Sequence, residues 1–400
     1  MKHFWLSAVL FAVLGVWFTG CSKEPTPVGI KLFPSGDKFA AHETTYSAIA
    51  DTMFTRAAVN GNGYNALVGN QSSVDCKALI RFTVTIPESL TTVKIDTARL
   101  SLTVSYSWNT PSPTPSATYD IKEVQTPWSA SSVTIDSLNG LSLAATNSTP
   151  FAVTSQDTFS VGKILTAQID TSLVRKWITI AADTADTLTA RFFSLAVVTH
   201  AGLTNTGIWG FTGFTTSTPP SLVVIYEKNG VTDSVTLNVG EATFLATGPP
   251  LPAANYLDIQ GGISVRSRIR FSMKPVSDSA NKAIINNATM KITLNNSAKI
   301  LGLGSEDSVI AYFSGSNTPP DSVISSTYAY GYRQDTTSSA NSVYVFSITA
   351  MAQLWLNSPS NNFGVMIKTI NDDASVDRLE FYSVKDTVRA PKISVTYTKR

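Results

Sequence analysis

The sequence predicts an all-β protein made of two tandem antiparallel β-sandwiches of jelly-roll type, each with one short helix. Apolar and polar residues alternate with a period of two through most of the chain, which is typical of strands with one buried and one wet face. Turn-forming residues separate these runs, and one order of motifs occurs twice. After the leader, no window keeps a helical apolar period over three turns, so an α/β enzyme fold is not expected.

The repeat starts with a basic strand. Residues 77–82 in the first half correspond to 267–271 in the second, and each segment places an arginine, Arg81 or Arg270, between two apolar positions. Each arginine is therefore expected on the outer face of a strand whose neighbours enter the core. Three more pairs of segments follow in the same order: 95–102 with 285–292, 171–177 with 349–355, and 220–226 with 391–397.

The third pair of segments carries the helical pattern. Leu173 and Val174 precede Trp177 by four and three residues, so the three side chains share one face of a two-turn helix, with Thr171 as the N-cap. The second copy has the same Thr-to-Trp interval, ending at Trp355. Both tryptophans are predicted to anchor their helices in the core.

These motifs divide the chain into two sandwiches behind a leader. The junction is expected in the polar link at 227–230, which contains a turn-forming Asn-Gly pair. The predicted segments are a signal peptide at 1–20, a lipidated N-terminus and linker at 21–40, a first sandwich at 41–226 and a second at 231–400.

The leader has the pattern of a secreted lipoprotein. Lys2 and His3 precede an apolar run at 4–18, which is short for a membrane span and ends in small residues. The ending Phe-Thr-Gly-Cys resembles the bacterial lipobox, whose rule makes Cys21 the lipidated first residue of the mature chain. Ser22, rather than Asp, follows it, and the resemblance to sorting signals then implies the outer membrane, with the face left open. An uncleaved anchor and an ordinary signal are the alternatives.

Composition narrows the classes of partner and chemistry. Cys21 and Cys76 are the only cysteines, so lipidation leaves Cys76 unpaired and no intrachain disulfide is possible in the mature monomer. The net charge is +2 with scattered basic residues, so a nucleic-acid partner is not expected.

Few residues are available for metal or nucleophilic chemistry. Only His42 and His200 follow the leader, which leaves little for a histidine metal site or a catalytic triad, so no cofactor, metal or catalytic residue is expected. The acidic run at 371–377 could supply oxygen ligands to calcium, but its pattern indicates first a solvated turn between strands.

Several of these motifs together resemble a known family, the DNRLRE domain or disaggregatase-related repeat. The resemblance covers most of 41–226, and the second half matches it except for the segment that contains Trp128. It implies an extracellular β-sandwich, often in tandem, attached to polysaccharide-active or surface proteins, with some members similar to carbohydrate-binding modules. The motifs, in order, are 77–82, 98–102, 126–134, 171–177 and 220–226.

Aromatic and basic residues are the candidates for binding. Tyr106, Trp108 and Trp128 could present flat rings to sugars, and for Trp108 an interior position is the alternative. Arg81 and Arg270 could form a basic face for an anionic polymer, and intradomain ion pairs are the alternative for them.

We therefore expect a non-catalytic outer-membrane or cell-surface lipoprotein that binds glycan or polysaccharide and reaches the membrane through its N-terminal lipid. Two other classes remain open. One is a structural envelope or assembly subunit with protein partners, which a large apolar patch would favour. The other is a polysaccharide-degrading enzyme, which Tyr, Arg and acidic groups converging in a deep cleft would favour.

Overall fold

The structure is a computed structural model of the 400-residue chain. The predicted leader, Cys21 and the linker lie outside the residues that it describes. Those residues are 41–55, 59–61, 63–84, 90–108, 117–153, 161–183, 192–204, 206–248, 255–277, 283–303, 308–316, 326–335 and 341–398.

The fold is the predicted all-β class, with antiparallel strands in two sheets that form sandwiches. Strands are numbered in chain order. The first sheet contains β3 (Asn65–Gln71), β4 (Val74–Thr83), β5 (Lys94–Trp108), β6 (Ala117–Val124), β7 (Leu143–Ala145), β8 (Phe151–Val153), β9 (Ile164–Ile169), β10 (Phe193–Thr199), β11 (Gly207–Thr212), β12 (Ser221–Lys228) and β13 (Val231–Thr247). The second sheet contains β1 (Ala41–Ser47), β2 (Ala50–Thr55), β14 (Tyr256–Gln260), β15 (Val265–Arg270), β16 (Ile284–Asn295), β17 (Val309–Phe313), β18 (Tyr328–Asp335), β19 (Asn341–Ser347), β20 (Val365–Thr369), β21 (Arg378–Tyr382) and β22 (Lys392–Thr398).

Helices α1 (Thr171–Ala182) and α3 (Thr349–Asn357) lie where the repeat predicts them. Trp177 and Trp355 are both fully buried on the inner faces of these helices, as predicted. The cap of α1 differs from the prediction: Asp170, one residue before Thr171, accepts the Ser172 N–H at 2.8 Å. A four-residue helix, α2 (Lys274–Ser277), adds a helical turn to the second half. None of the helices in the described ranges is long and apolar enough to cross a membrane.

The two halves share their strand pairings. In the first, β4 pairs with β10, and β5 pairs with β12. In the second, β15 pairs with β20, and β16 pairs with β22. The Arg81 strand therefore corresponds to the Arg270 strand, and each arginine lies between two buried apolar residues.

The strands at the predicted domain starts are exchanged between the sheets. Strands β1 and β2 pair with β22 and β15 of the second sheet, whereas β13 pairs with β12 and β4 of the first. The boundaries at 41–226 and 231–400 therefore do not follow the sheets, and this corrects the prediction. Asn229 and Gly230, at φ 54° and 76°, form a two-residue hairpin turn that keeps β12 and β13 side by side, so the predicted junction lies inside one sheet.

Apolar side chains fill three main regions of the molecule. Each sandwich has its own core, and a third cluster joins the two. In that joining cluster, Leu67, Trp108 and Phe244 from the first sheet pack with Val265 and Val376 from the second half. The two sandwiches are thus in apolar contact rather than separated by a free linker.

Candidate functional site

Trp128, a predicted sugar-stacking residue, is buried. Its ring is 6% exposed, and its Nε1 donates to the Ser194 Oγ at 2.8 Å. It packs with Leu79, Ala196 and Leu245 in a small apolar cluster. The segment around Trp128 therefore covers the outer face of β4, β10 and β13.

Trp108 and Tyr106 are also interior residues. Both belong to the cluster between the sandwiches, and the Tyr106 hydroxyl donates to Asp377 across that boundary. Cys76 lies in the same cluster, where burial raises the pKa of its thiol. All three candidate aromatics are therefore buried, and for Trp108 the interior alternative is confirmed.

Arg81 has an internal partner. Its guanidinium lies 2.6 Å from Glu241 on β13 and also donates to the Trp128 carbonyl at 3.3 Å. It further lies 5.8 Å from the centre of the Phe192 ring. Arg81 is therefore an ion-paired residue under the Trp128 segment, and its proposed role on a basic binding face is not supported.

The acidic run at 371–377 is mostly buried, with Asp373 exposed, which corrects the predicted solvated turn. Asp372 lies 2.8 Å from both Arg266 and Lys368, and Asp377 accepts hydrogen bonds from Tyr106 and the Gly302 N–H. These carboxylates neutralise protein cations and satisfy donors at the joint between the sandwiches. Within the described ranges, no group of three or more His, Cys, Asp and Glu side chains is placed to hold a metal ion.

Lys77 and His200 border a cleft on the first sandwich. Lys77 is paired with Asp75 at 3.3 Å, and the His200 Nδ1 lies 2.8 Å from Asp120. The cleft has a volume of about 390 Å³ and also includes Lys122. His200, directly after β10, thus has a carboxylate partner.

A row of tyrosines on β18 was not among the predicted site residues. Tyr328, Tyr330 and Tyr332 alternate along the strand, so they point to one face, and they are 50%, 59% and 58% exposed. Tyr312 on the neighbouring strand lies 5.9 Å from Tyr328 between ring centres, and Tyr328 lies 5.4 Å from Tyr330. The period-two spacing of tyrosines in 328–332 was the sequence signal for this surface.

The tyrosines and the arginines of β15 lie on the same side of the sheet, with the buried Met366 and Arg268 between the exposed tyrosines and the exposed Arg270. Tyr312 pairs with Tyr328 on one neighbouring strand and with Met366 on the other. Met366 pairs with Arg268 on the next strand, and Arg268 pairs with Thr52 on β2. This row crosses five strands, or about 19 Å at the usual spacing between strands. We define the tyrosine–arginine face as Tyr312, Tyr328, Tyr330, Tyr332, Arg268 and Arg270.

Charged groups hold this face in place. Arg266 and Lys368 share Asp372, which leaves one positive charge in excess, and the Lys368 ammonium lies 5.9 Å from the Tyr312 ring centre. Arg268 lies 5.6 Å from the centre of the Phe54 ring. Burial raises the pKa of the Tyr312 hydroxyl, so it stays protonated at neutral pH and can both donate and accept.

The outer side of the sheet is covered in the first sandwich, and on the second it is exposed at the tyrosines of β18. In the first sandwich, residues around Trp128 pack over the outer face of β4 and β10. The second half has no sequence counterpart of this segment, and its tyrosines remain exposed on the equivalent side. In the second sandwich, the exposed part of this side is therefore the tyrosine strand β18, because Met366 and Arg268 on β20 and β15 are buried.

Comparison with protein-family models finds no match to this chain, and a search of curated proteins finds none either. The resemblance to the DNRLRE domain stays a prediction from the motifs.

Proposed function

We propose that this chain is a non-catalytic glycan-binding lipoprotein of the outer membrane, and that it binds polysaccharide on the tyrosine–arginine face. The observation that carries the proposal is the exposure of three tyrosines at alternate positions of one strand. Aromatic rings are usually buried, and a contiguous exposed patch of them marks a binding surface. A tyrosine offers an apolar ring to the C–H face of a sugar and a hydroxyl to its oxygens.

The shape of the surface suits a polymer. The face follows one side of the sheet across five strands, about 19 Å, and the buried Met366 and Arg268 separate its exposed tyrosines from the exposed Arg270. Tyrosines lie at one end and arginines at the other. A polymer several units long can contact both the tyrosines and Arg270, which a single small molecule is too short to do.

The arrangement supports binding over cleavage. A degrading enzyme needs an acid or base close to the reacting bond in a site that excludes water. Here the tyrosines lie on an open face, and the nearby Asp372 carboxylate is held by two cations at 2.8 Å. Attachment through lipid on Cys21 completes the proposal and rests on the lipobox resemblance alone.

The proposal is tested by affinity gel electrophoresis of residues 22–400, which include every described residue. The gels contain dextran, xylan, polygalacturonate or dextran sulfate. We expect retention by at least one polymer, without release of reducing ends. Tyr328→Ala combined with Tyr330→Ala should weaken it about thirtyfold, because each ring contact contributes on the order of 1 kcal/mol.

The matched control is Tyr64→Ala, which removes a tyrosine that is 65% exposed outside this face. It should leave retention unchanged. If no polymer retains the chain, or if the double variant binds as the parent does, the proposed function is wrong and the envelope-subunit alternative gains support.

A further inference from the structure

Arg270 and Arg81 occupy equivalent positions but have different neighbours. Across from Arg81 on β13 is Glu241, which neutralises it. Across from Arg270 on β2 is Ala50, which carries no charge. Arg270 is exposed, and its guanidinium makes no hydrogen bond or ion pair with the described residues.

The other neighbour of Arg270 is also small. Ser194 pairs with Arg81 in the first sandwich, whereas Gly364, just before the β20 residue that pairs with Ile269, takes that place in the second. Gly364 has φ +91°, and a β-carbon there would collide with the Ile269 carbonyl oxygen. The position therefore requires glycine, so no side chain lies beside Arg270 at this point of the neighbouring strand.

Two clefts open on either side of Arg270. One has a volume of about 230 Å³ and includes Ala50, Arg268 and Phe363. The other has a volume of about 240 Å³ and includes Lys274 and Asn362. Arg270 lines both clefts, with Arg268 in the first and Lys274 in the second.

We propose that this pair of clefts, the Arg270 site, binds an acidic group of the polysaccharide, a carboxylate or a sulfate, while neighbouring sugars lie on the tyrosines. The inference rests on the proposed function and names its substrate class as an acidic polysaccharide. An arginine fork binds a carboxylate or sulfate through two parallel N–H bonds, and Arg270 has its donors available.

The geometry links this site to the tyrosines. Arg270 is two residues beyond Arg268 on the same face of β15, a separation of about 7 Å. Arg268 is three strands from Tyr328, or about 14 Å. A polymer several sugar units long can therefore contact the rings and place an acidic substituent at Arg270.

The one carboxylate that lines these clefts has its own partner. Asp51 lies in the first cleft, and its Oδ2 accepts the Val384 N–H at 2.6 Å. Burial raises the pKa of Asp51, although the Val384 bond and Lys385 lower it in part. Among the described residues that line the clefts, the exposed Arg270 and Lys274 outnumber this single acid, so the clefts favour an anion.

The test compares Arg270→Ala, Arg270→Lys and the parent on gels that contain polygalacturonate, dextran sulfate or uncharged dextran. We expect Arg270→Ala to weaken retention by the two acidic polymers about tenfold and to reduce its salt dependence, with retention by dextran unchanged. Arg270→Lys should keep the salt dependence but bind less tightly, because a point charge cannot form the two-pronged contact.

The matched control is Arg99→Ala, which removes an exposed arginine from β5 of the first sandwich. It changes the net charge by the same amount and should leave retention unchanged. Thermal unfolding of each variant confirms that the fold is intact, since both arginines are exposed.

Two further outcomes separate the proposals. If the tyrosine variant loses retention while Arg270→Ala binds acidic polymers as the parent does, glycan binding stands and the Arg270 site is wrong. If sodium sulfate displaces the polymer at millimolar concentration, and sodium chloride of equal ionic strength does not, the site binds a free oxyanion and the polymer assignment is wrong. Equal loss on dextran and on the acidic polymers would also overturn the acidic specificity.

Discussion

The Tyr106 hydroxyl donates a hydrogen bond of 3.0 Å to the Asp377 Oδ1, and this bond joins the first sandwich to the second. The same oxygen accepts the Gly302 N–H at 2.8 Å. Burial raises the pKa of Tyr106 well above its usual value, so the phenol remains a donor at physiological pH. Because apolar side chains surround this bond, it fixes the two sandwiches in one relative position.

Tyr106→Phe should uncouple the sandwiches. Loss of a buried bond to a charged acceptor costs about 1.5–3 kcal/mol, and we expect the single unfolding transition to separate into two. Urea unfolding followed by tryptophan fluorescence measures this. Tyr226→Phe, which removes a hydroxyl bonded to Asp233 on the β12–β13 hairpin, should have little effect. A single unshifted transition in Tyr106→Phe would show that the apolar contacts alone hold the joint.

Deletion of residues 41–55 should destabilise the second sandwich and leave the first folded. These residues form β1 and β2, which pair with β22 and β15 of the second sheet. Without them, the edges of both strands lose their backbone partners. Hydrogen exchange with mass spectrometry should show faster exchange in 265–270 and 392–398. Faster exchange confined to the first sheet would contradict the strand exchange.

Substitutions of Trp355 test how much its ring contributes to the stability of the second sandwich. Its ring is fully buried against Phe271, at 6.4 Å between ring centres, and its indole N–H has no hydrogen-bond partner within the described residues. Trp355→Ala should therefore cost about 3–5 kcal/mol of unfolding free energy. Trp355→Phe should cost clearly less, because it keeps an aromatic ring and removes an unsatisfied donor. Equal losses in the two variants would mean that the indole N–H has a stabilising role.

Asp258 should make stability depend on pH. Its Oδ2 lies 2.5 Å from Arg378, yet burial outweighs that cation and raises the pKa of Asp258 from 3.8 to about 6. The folded state therefore binds the proton more tightly than the unfolded chain does. The unfolding free energy should fall as the pH rises from about 4 to 6, by at most about 3 kcal/mol, and should stay level above pH 6.

Asp258→Asn removes this titration while it keeps the size of the side chain. Urea unfolding at several pH values should therefore give a smaller fall between pH 4 and 6 in the variant than in the parent. Identical profiles would show that other groups cause the dependence.

Cys21 carries the prediction about the anchor. Its thiol is the expected acyl acceptor, so Cys21→Ser should give a precursor that no longer partitions into detergent. Cell fractionation and Triton X-114 phase separation measure this, with Cys76→Ser as the control for loss of a buried thiol. A Cys21→Ser chain that still fractionates with the outer membrane would refute the lipobox.

The sequence determined the strand class, the repeat and the core positions of each copy. Alternation around Ile80 and Phe82 reports burial directly, because a side chain two residues along a strand returns to the same face. The Thr-to-Trp spacing likewise placed Trp177 and Trp355 in the core. These are local patterns, and a short window of sequence contains all the information that they need.

Only the tertiary structure decided which strands complete each sheet and which polar side chains remain exposed. Ala41 pairs with Thr398 at the far end of the chain, and Arg81 meets Glu241 at a separation of 160 residues. No local pattern specifies such pairings, since backbone hydrogen bonds are the same for any edge. The alternating tyrosines were visible in the sequence, but alternation does not tell which face of a strand another segment covers. That answer came from packing, which covers the first sandwich near Trp128 and leaves the tyrosines of β18 exposed on the second.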